Sequence, residues 1–133
     1  MTKKVLVVED DLLNRMFLTD CLRLHGYEVR EADDGAKVMD AVREYAPDLI
    51  TMDINIPSIS GETLIRRIKR DAALAHIPVL AITAFASVSD EARVRQAGAE
   101  GFMAKPLTLQ GLLAGVSELI EDKHSSHPDR SAA

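Results

Sequence analysis

Five polar residues carry the chemistry open to this chain: Glu9, Asp10, Asp53, Thr83 and Lys105. Each ends a short apolar run. Lys4 to Val8 stops at Glu9-Asp10-Asp11, Leu49 to Met52 stops at Asp53, the run from Val79 closes on Thr83, and Gly101 to Ala104 leads into Lys105. A carboxylate beside a fully apolar run loses hydration, so it persists only where a cation, a hydrogen-bond donor or a chemical task compensates. Three carboxylates gathered in one place repel one another unless a divalent cation holds them charged. Magnesium is the natural choice, with manganese as a substitute. With the metal and the Lys105 ammonium neutralising charge, Asp53 can attack a phosphoryl donor and become an acyl phosphate. No general base is needed, because an aspartate is already ionised at neutral pH. Thr83 and Lys105 would contact the phosphoryl oxygens.

Taken singly, each residue has a plainer use. An acid after a strand caps the next helix, Thr83 is a good strand former, and an isolated Lys105 is commonly solvated. Their coincidence is informative only if the fold brings the strand ends together.

The elements between them predict that it does. Leu12 to His25 carries a helical stripe at Leu13, Met16, Phe17, Cys21 and Leu24, with Asp10 or Asp11 as N-cap and Gly26 at the end. Tyr27 to Ala32 alternates as an edge strand. Asp34 can cap a helix striped by Val38, Met39, Val42, Tyr45 and Ala46 and closed by Pro47, and Ser60 can cap another through Leu64, Ile65 and Ile68. Ser87 to Gly98 makes a weakly amphipathic fourth helix, and Leu109 to Ile120 a fifth with a clean apolar stripe. Strands alternating strictly with helices, the inner strands apolar on both faces, predict an α/β fold with a doubly wound parallel sheet. Right-handed crossovers and a reversal after the second strand give the order 2-1-3-4-5. In such sheets ligands bind beyond the strand carboxyl ends at the reversal, between strands 1 and 3, where Glu9, Asp10 and Asp53 fall. Residues 1–122 are expected to form one domain, and 123–133 a disordered polar tail.

Composition narrows the partners. Against 21 Asp and Glu stand 16 Lys and Arg, a net charge of −5, which disfavours nonspecific binding to nucleic acid or an anionic membrane and leaves a protein as the expected partner. The basic cluster Arg66, Arg67, Lys69 and Arg70 is read as a solvated helix face. Cys21 is the single cysteine, so no internal disulfide forms. With no signal peptide and no membrane-length apolar stretch, the expected compartment is the cytoplasm. The four histidines show no metal-ligand spacing.

Taken together and in this order, Glu9-Asp10, Asp53, Thr83 and Lys105 resemble the receiver domain of two-component response regulators over about residues 3 to 121. The resemblance implies the flavodoxin-like (βα)5 fold and a role for each position. Asp53 would accept the phosphoryl group. Asp10 would bind magnesium directly and Glu9 through water, with the Asn55 main-chain carbonyl completing the set. Thr83 would be the switch hydroxyl, Lys105 the phosphate-contacting lysine, and the Lys105–Pro106 bond cis. Phe102, three residues before Lys105, would be the switch aromatic, turning into the space Thr83 vacates and changing the surface of the fourth helix, fifth strand and fifth helix. Asn55 and Phe85 fall where the family tunes dephosphorylation. The implied partners are a sensor histidine kinase or histidine phosphotransferase and a downstream target on that surface. The implied state is a monomer or a weak phosphorylation-dependent dimer, with no catalysis beyond its own phosphorylation and dephosphorylation. Within the family, Met1 to Asp10 and Ala75 to Ala86 are most similar to a stand-alone cell-cycle regulator that binds sensor kinases, with a phosphate-shuttle or motor-binding receiver as the alternative.

Two other classes share parts of the pattern. A phosphohydrolase of the haloacid dehalogenase type also uses a strand-end aspartate and magnesium, but needs a second aspartate two residues on, where this chain has Asn55. A flavodoxin-type FMN carrier shares the strand order, yet Glu9-Asp10-Asp11 would repel its phosphate.

Overall fold

Valine, leucine and isoleucine runs too short for helices pair into a sheet whose two faces are both covered. In the computed structural model, which describes residues 2–84 and 87–125, the elements run β1 (Lys4–Val8), α1 (Leu12–Leu24), β2 (Glu28–Ala32), a 3-10 turn (Gly35–Lys37), α2 (Val38–Tyr45), β3 (Leu49–Asp53), α3 (Gly61–Arg70), β4 (Val79–Thr83), α4 (Val88–Ala97), β5 (Gly101–Ala104) and α5 (Leu109–Ser125). All neighbouring strands are parallel, in the order β2-β1-β3-β4-β5, as the sequence pattern predicts.

Alternation along each strand divides the core. Val5, Val7, Leu49, Leu80 and Ile82 pack with Leu18, Cys21 and Leu22 of α1 and Leu112, Val116 and Ile120 of α5. Leu6, Val8, Ile50, Met52 and Ala81 pack with Val42 of α2, Leu64, Ile65 and Ile68 of α3, and Val94 of α4. Fully burying each such side chain contributes about 1.5–3 kcal/mol, so the two layers rather than helix propensity hold the sheet. Asp11 caps α1, its carboxylate accepting the Asn14 N–H at 2.9 Å, and Ser60 caps α3 through Thr63 N–H at 3.2 Å. Ser87 and Asp90 form a reciprocal capping box at α4.

Three expectations change. The stripe on α1 has the right period and the wrong phase. Leu18, Thr19, Cys21 and Leu22 face the core, while Leu13 and Leu24 are 75% and 82% exposed and Met16 and Phe17 also meet solvent. Lys69, read as part of a solvated basic face, is only 14% exposed at its side chain and pairs with Glu100 at 2.7 Å. Helix α5 continues to Ser125, past the boundary expected at 122, and the rest of the expected tail, 126–133, lies outside the described residues. No helix among the described residues is long and apolar enough to cross a membrane.

Candidate functional site

Strand register does the positioning. Val8 of β1 pairs with Met52 of β3, so Glu9 stands level with Asp53, one step on. Asp53 pairs with Ile82 of β4, putting Thr83 one step beyond, and Thr83 pairs with Ala104 of β5, putting Lys105 one step beyond that. Residues far apart in the chain thus share one sheet edge because parallel strands end in register.

The side chains converge accordingly. One carboxylate oxygen from each of Glu9, Asp10 and Asp53 lies within 4.8 Å of the others. Glu9 and Asp53 are buried at 1% and 4% exposure, while Asp10 is exposed. Lys105 Nζ stands 3.0 Å from Glu9 Oε1 and 3.7 Å from Asp53 Oδ2. The other oxygens are held by main chain: Glu9 Oε2 accepts the Asp11 N–H at 3.2 Å, and Asp53 Oδ1 accepts the Asn55 N–H at 3.1 Å. Burial first, then the Glu9 charge, pushes the Asp53 carboxyl up to about 7, so the full ionisation at neutral pH expected from the sequence needs a cation beside it. Burial alone would lower the Lys105 ammonium. Its hydrogen bond to Glu9 and the charges of Asp53, Glu9 and Asp10 outweigh that and hold it above the ordinary lysine value.

This donor set suits a hard divalent cation. Buried Glu9 Oε1 has the Lys105 ammonium 3.0 Å away, and that one ammonium faces three carboxylates. Oxygen ligands from a few carboxylates, one of them open to water, match magnesium, which keeps part of its hydration shell. Bound there, the cation would neutralise the carboxylates and polarise a phosphoryl oxygen.

Thr83 is buried and receives the Asn55 Nδ2 donor at 3.5 Å. Thr83 and half-buried Phe102 line an open cavity of about 190 Å³ together with Ile54, Asn55, Asp90, Arg93 and Val94. Arg93 ties α4 to α3, pairing with Glu62 at 2.7 Å and with Asp90 at 3.1 Å. The peptide bond between Lys105 and Pro106 is cis. Phe85 lies outside the described residues. Sequence reasoning assigned no part to Arg15, whose guanidinium reaches the carbonyls of both Glu9 and Asp10. Nothing in the local pattern marks it, because its contacts form only once α1 has packed.

The pattern of the response regulator receiver domain matches residues 5–117. The polar-differentiation response regulator DivK of Brucella ovis is 40% identical over 122 residues, covering 92% of this chain and 99% of that protein, and DivK of Brucella anthropi is 39% identical over the same span. Among solved structures, a putative response regulator from Chloroflexus aurantiacus superposes with a TM-score of 0.87 at 30% identity, covering 91% of this chain and 99% of that one. The chemotaxis response regulator CheY4 of Vibrio cholerae superposes at 0.85 with 26% identity, covering 90% and 99%. A match over most of the chain and a relative 40% identical across 92% of it settle the kinship: the chain belongs to the response regulator receiver domain family.

Proposed function

We propose that the protein is a phosphorelay receiver that takes a phosphoryl group from a histidine kinase or histidine phosphotransferase onto Asp53 and passes the state on to a protein partner. The observation that carries this is Asp53 itself, a buried carboxylate in register with Glu9 and facing the Lys105 ammonium. Asp53 attacks phosphorus as the P–N bond to the donor imidazole breaks, the electron pair leaving on nitrogen, which takes a proton. Lys105 moves its charge from two carboxylates to the new phosphoryl oxygens, Thr83 follows with its hydroxyl, and Phe102 takes up the cavity between them. Asp10, Glu9, Asp53 and the Asn55 carbonyl would hold Mg2+, or Mn2+ in its place. The chain would turn over no external substrate, and Asn55 leaves the phosphohydrolase class without its second aspartate.

The DivK relatives favour a partner among kinases or other signalling proteins, reached through α4, β5 and α5. Beside the cup, exposed Leu12, Leu13, Met16 and Phe17 on α1 offer an apolar contact to the donor. The test is intact mass after incubation with acetyl phosphate and Mg2+. The native chain should gain one hydroxylamine-labile phosphoryl group and Asp53→Ala none. Equal labelling of both would place the acceptor elsewhere, and turnover of a free phosphate ester would revive the hydrolase reading.

A further inference from the structure

The carbonyls of Glu9 and Asp10 are held by one guanidinium. Arg15 Nη1 donates to Glu9 O at 3.0 Å and to Asp10 O at 3.2 Å, and its Nε faces Glu31 Oε1 at 3.8 Å. The Arg15 side chain is 16% exposed, and Glu31 Oε2 accepts the buried Thr19 hydroxyl at 2.5 Å. From the end of β2 the tie continues. The Glu9 N–H donates to Ala32 O at 3.0 Å, Gly35 N–H donates to Pro57 O at 3.0 Å, and Ser58 Oγ donates to Asp34 Oδ2 at 3.1 Å. A Cβ at Gly35 would sit 2.5 Å from Ile59 O, so this seam closes on glycine alone. A belt of polar contacts therefore joins the loop after β1, through the end of β2, to the loop that follows Asp53.

We propose that Arg15 is a positioning residue for the cation site, fixing the Glu9-Asp10 backbone against β2 so that both carboxylates stand in place before the metal arrives. The role rests on reading Glu9, Asp10 and Asp53 as a Mg2+ site. Without the clamp, repulsion among three carboxylates would drive the Glu9-Asp10 loop outward, and ion binding would have to reverse that movement. The guanidinium meets the two carbonyls with Nη1 and faces the Glu31 carboxylate with Nε, separate donors in one rigid plane, and a single lysine ammonium at this position does not reproduce that arrangement.

Charge and geometry predict opposite signs. If Arg15 acted only as a nearby cation, Arg15→Gln would tighten Mg2+ binding and Arg15→Lys would leave it unchanged. A clamp predicts about tenfold weaker binding for both, the scale typical of residues that orient metal ligands. Mg2+ titration by calorimetry reads this directly, with metal-free melting as the folding control. The Mg2+ concentration for half-maximal labelling by acetyl phosphate should rise in parallel, while the rate at saturating Mg2+ stays the same. Unchanged or tighter binding in Arg15→Gln overturns the proposal. Thr19→Val, which frees Glu31 without touching Arg15, should weaken Mg2+ binding in the same direction and less. It decides the matter if Arg15→Gln does not fold, and an unchanged affinity there overturns the role. A native chain that binds no Mg2+ would instead sink the cation site itself, and this role with it.

Discussion

The two ends of the sheet treat buried charge in opposite ways. At the strand amino ends the half-buried charges of Lys4, Asp48 and Lys69 are matched. Lys69 Nζ donates to Ala75 O, Ile77 O and Glu100 Oε2, and the other Glu100 oxygen accepts the Val79 N–H. Lys4 Nζ donates to Tyr45 O, and Asp48 accepts the Lys4 N–H. The phenol there, Tyr45, has Lys4 Nζ 5.2 Å and the Arg30 guanidinium 4.8 Å from its ring centre, and burial followed by Glu28 pushes its pKa to about 12, so it stays neutral. At the carboxyl ends one lysine, 3.0 Å from Glu9 Oε1 and 3.7 Å from Asp53 Oδ2, faces three carboxylates. The same fold can thus satisfy buried charge when only structure is at stake. The end left unbalanced is the one where the proposed metal and phosphoryl group would be received.

Substitutions at the two ends should therefore shift stability in opposite directions. Lys69→Met removes the donor from two loop carbonyls and from Glu100 Oε2, which should cost about 2 kcal/mol in chemical denaturation. A loss below the noise would show that the amino end is not held by this lysine. Asp53→Asn should do the reverse. The folded carboxyl binds its proton more tightly than the unfolded one, near 7 against about 4. Its penalty is therefore absent below about pH 4, grows as pH rises through the interval, and is complete above about 7. Without metal, Asp53→Asn should melt above the native chain at pH 8, and the gap should close toward pH 4. Millimolar Mg2+ should shrink it from the other side by stabilising the native chain alone. A native chain that is the more stable at pH 8 without metal would erase the contrast between the ends.

Much of this contrast is visible in the sequence, because a valine- or isoleucine-rich run stopping at an acid is a local signal, and crossover handedness then orders the strands. Phase on a helix is less visible. α3 has one apolar stripe, Leu64, Ile65 and Ile68, and buries it. α1 has two, and periodicity cannot say which one the sheet covers; Leu18, Cys21 and Leu22 are taken, and Leu13, Met16 and Phe17 are left out. Lys69 and Arg15 were illegible for a related reason. Each is a long side chain whose partners are carbonyls of loops placed by tertiary packing, and no spacing in the chain announces them. The uncovered α1 stripe lies beside the acidic end, which suggests a sharper test of what that end is for. Phe17→Glu should change stability by no more than about 0.5 kcal/mol and leave labelling by acetyl phosphate intact. It should slow transfer from a cognate histidine kinase about tenfold, the equivalent of 1.4 kcal/mol of docking energy. Equal loss with both donors would mean that the substitution reached the cup rather than a partner.

The smallest effect tests where the imbalance stops. Thr51 lies on β3 two residues before Asp53 and on the same side of the strand; it is fully buried, and its Oγ1 has no hydrogen-bond partner. A stranded hydroxyl is a cost that valine, of the same shape, would remove, so Thr51→Val should stabilise the fold by about 1 kcal/mol with no dependence on pH. If Mg2+ affinity and phosphoryl uptake stay at the native level, the hydroxyl is an unpaired strand residue and the tuned region begins at Asp53. If the gain in stability comes with a fall in Mg2+ affinity, the polar environment of the cup reaches a layer deeper into the sheet than its carboxylates, and the boundary between the two regions has to be drawn below Thr51.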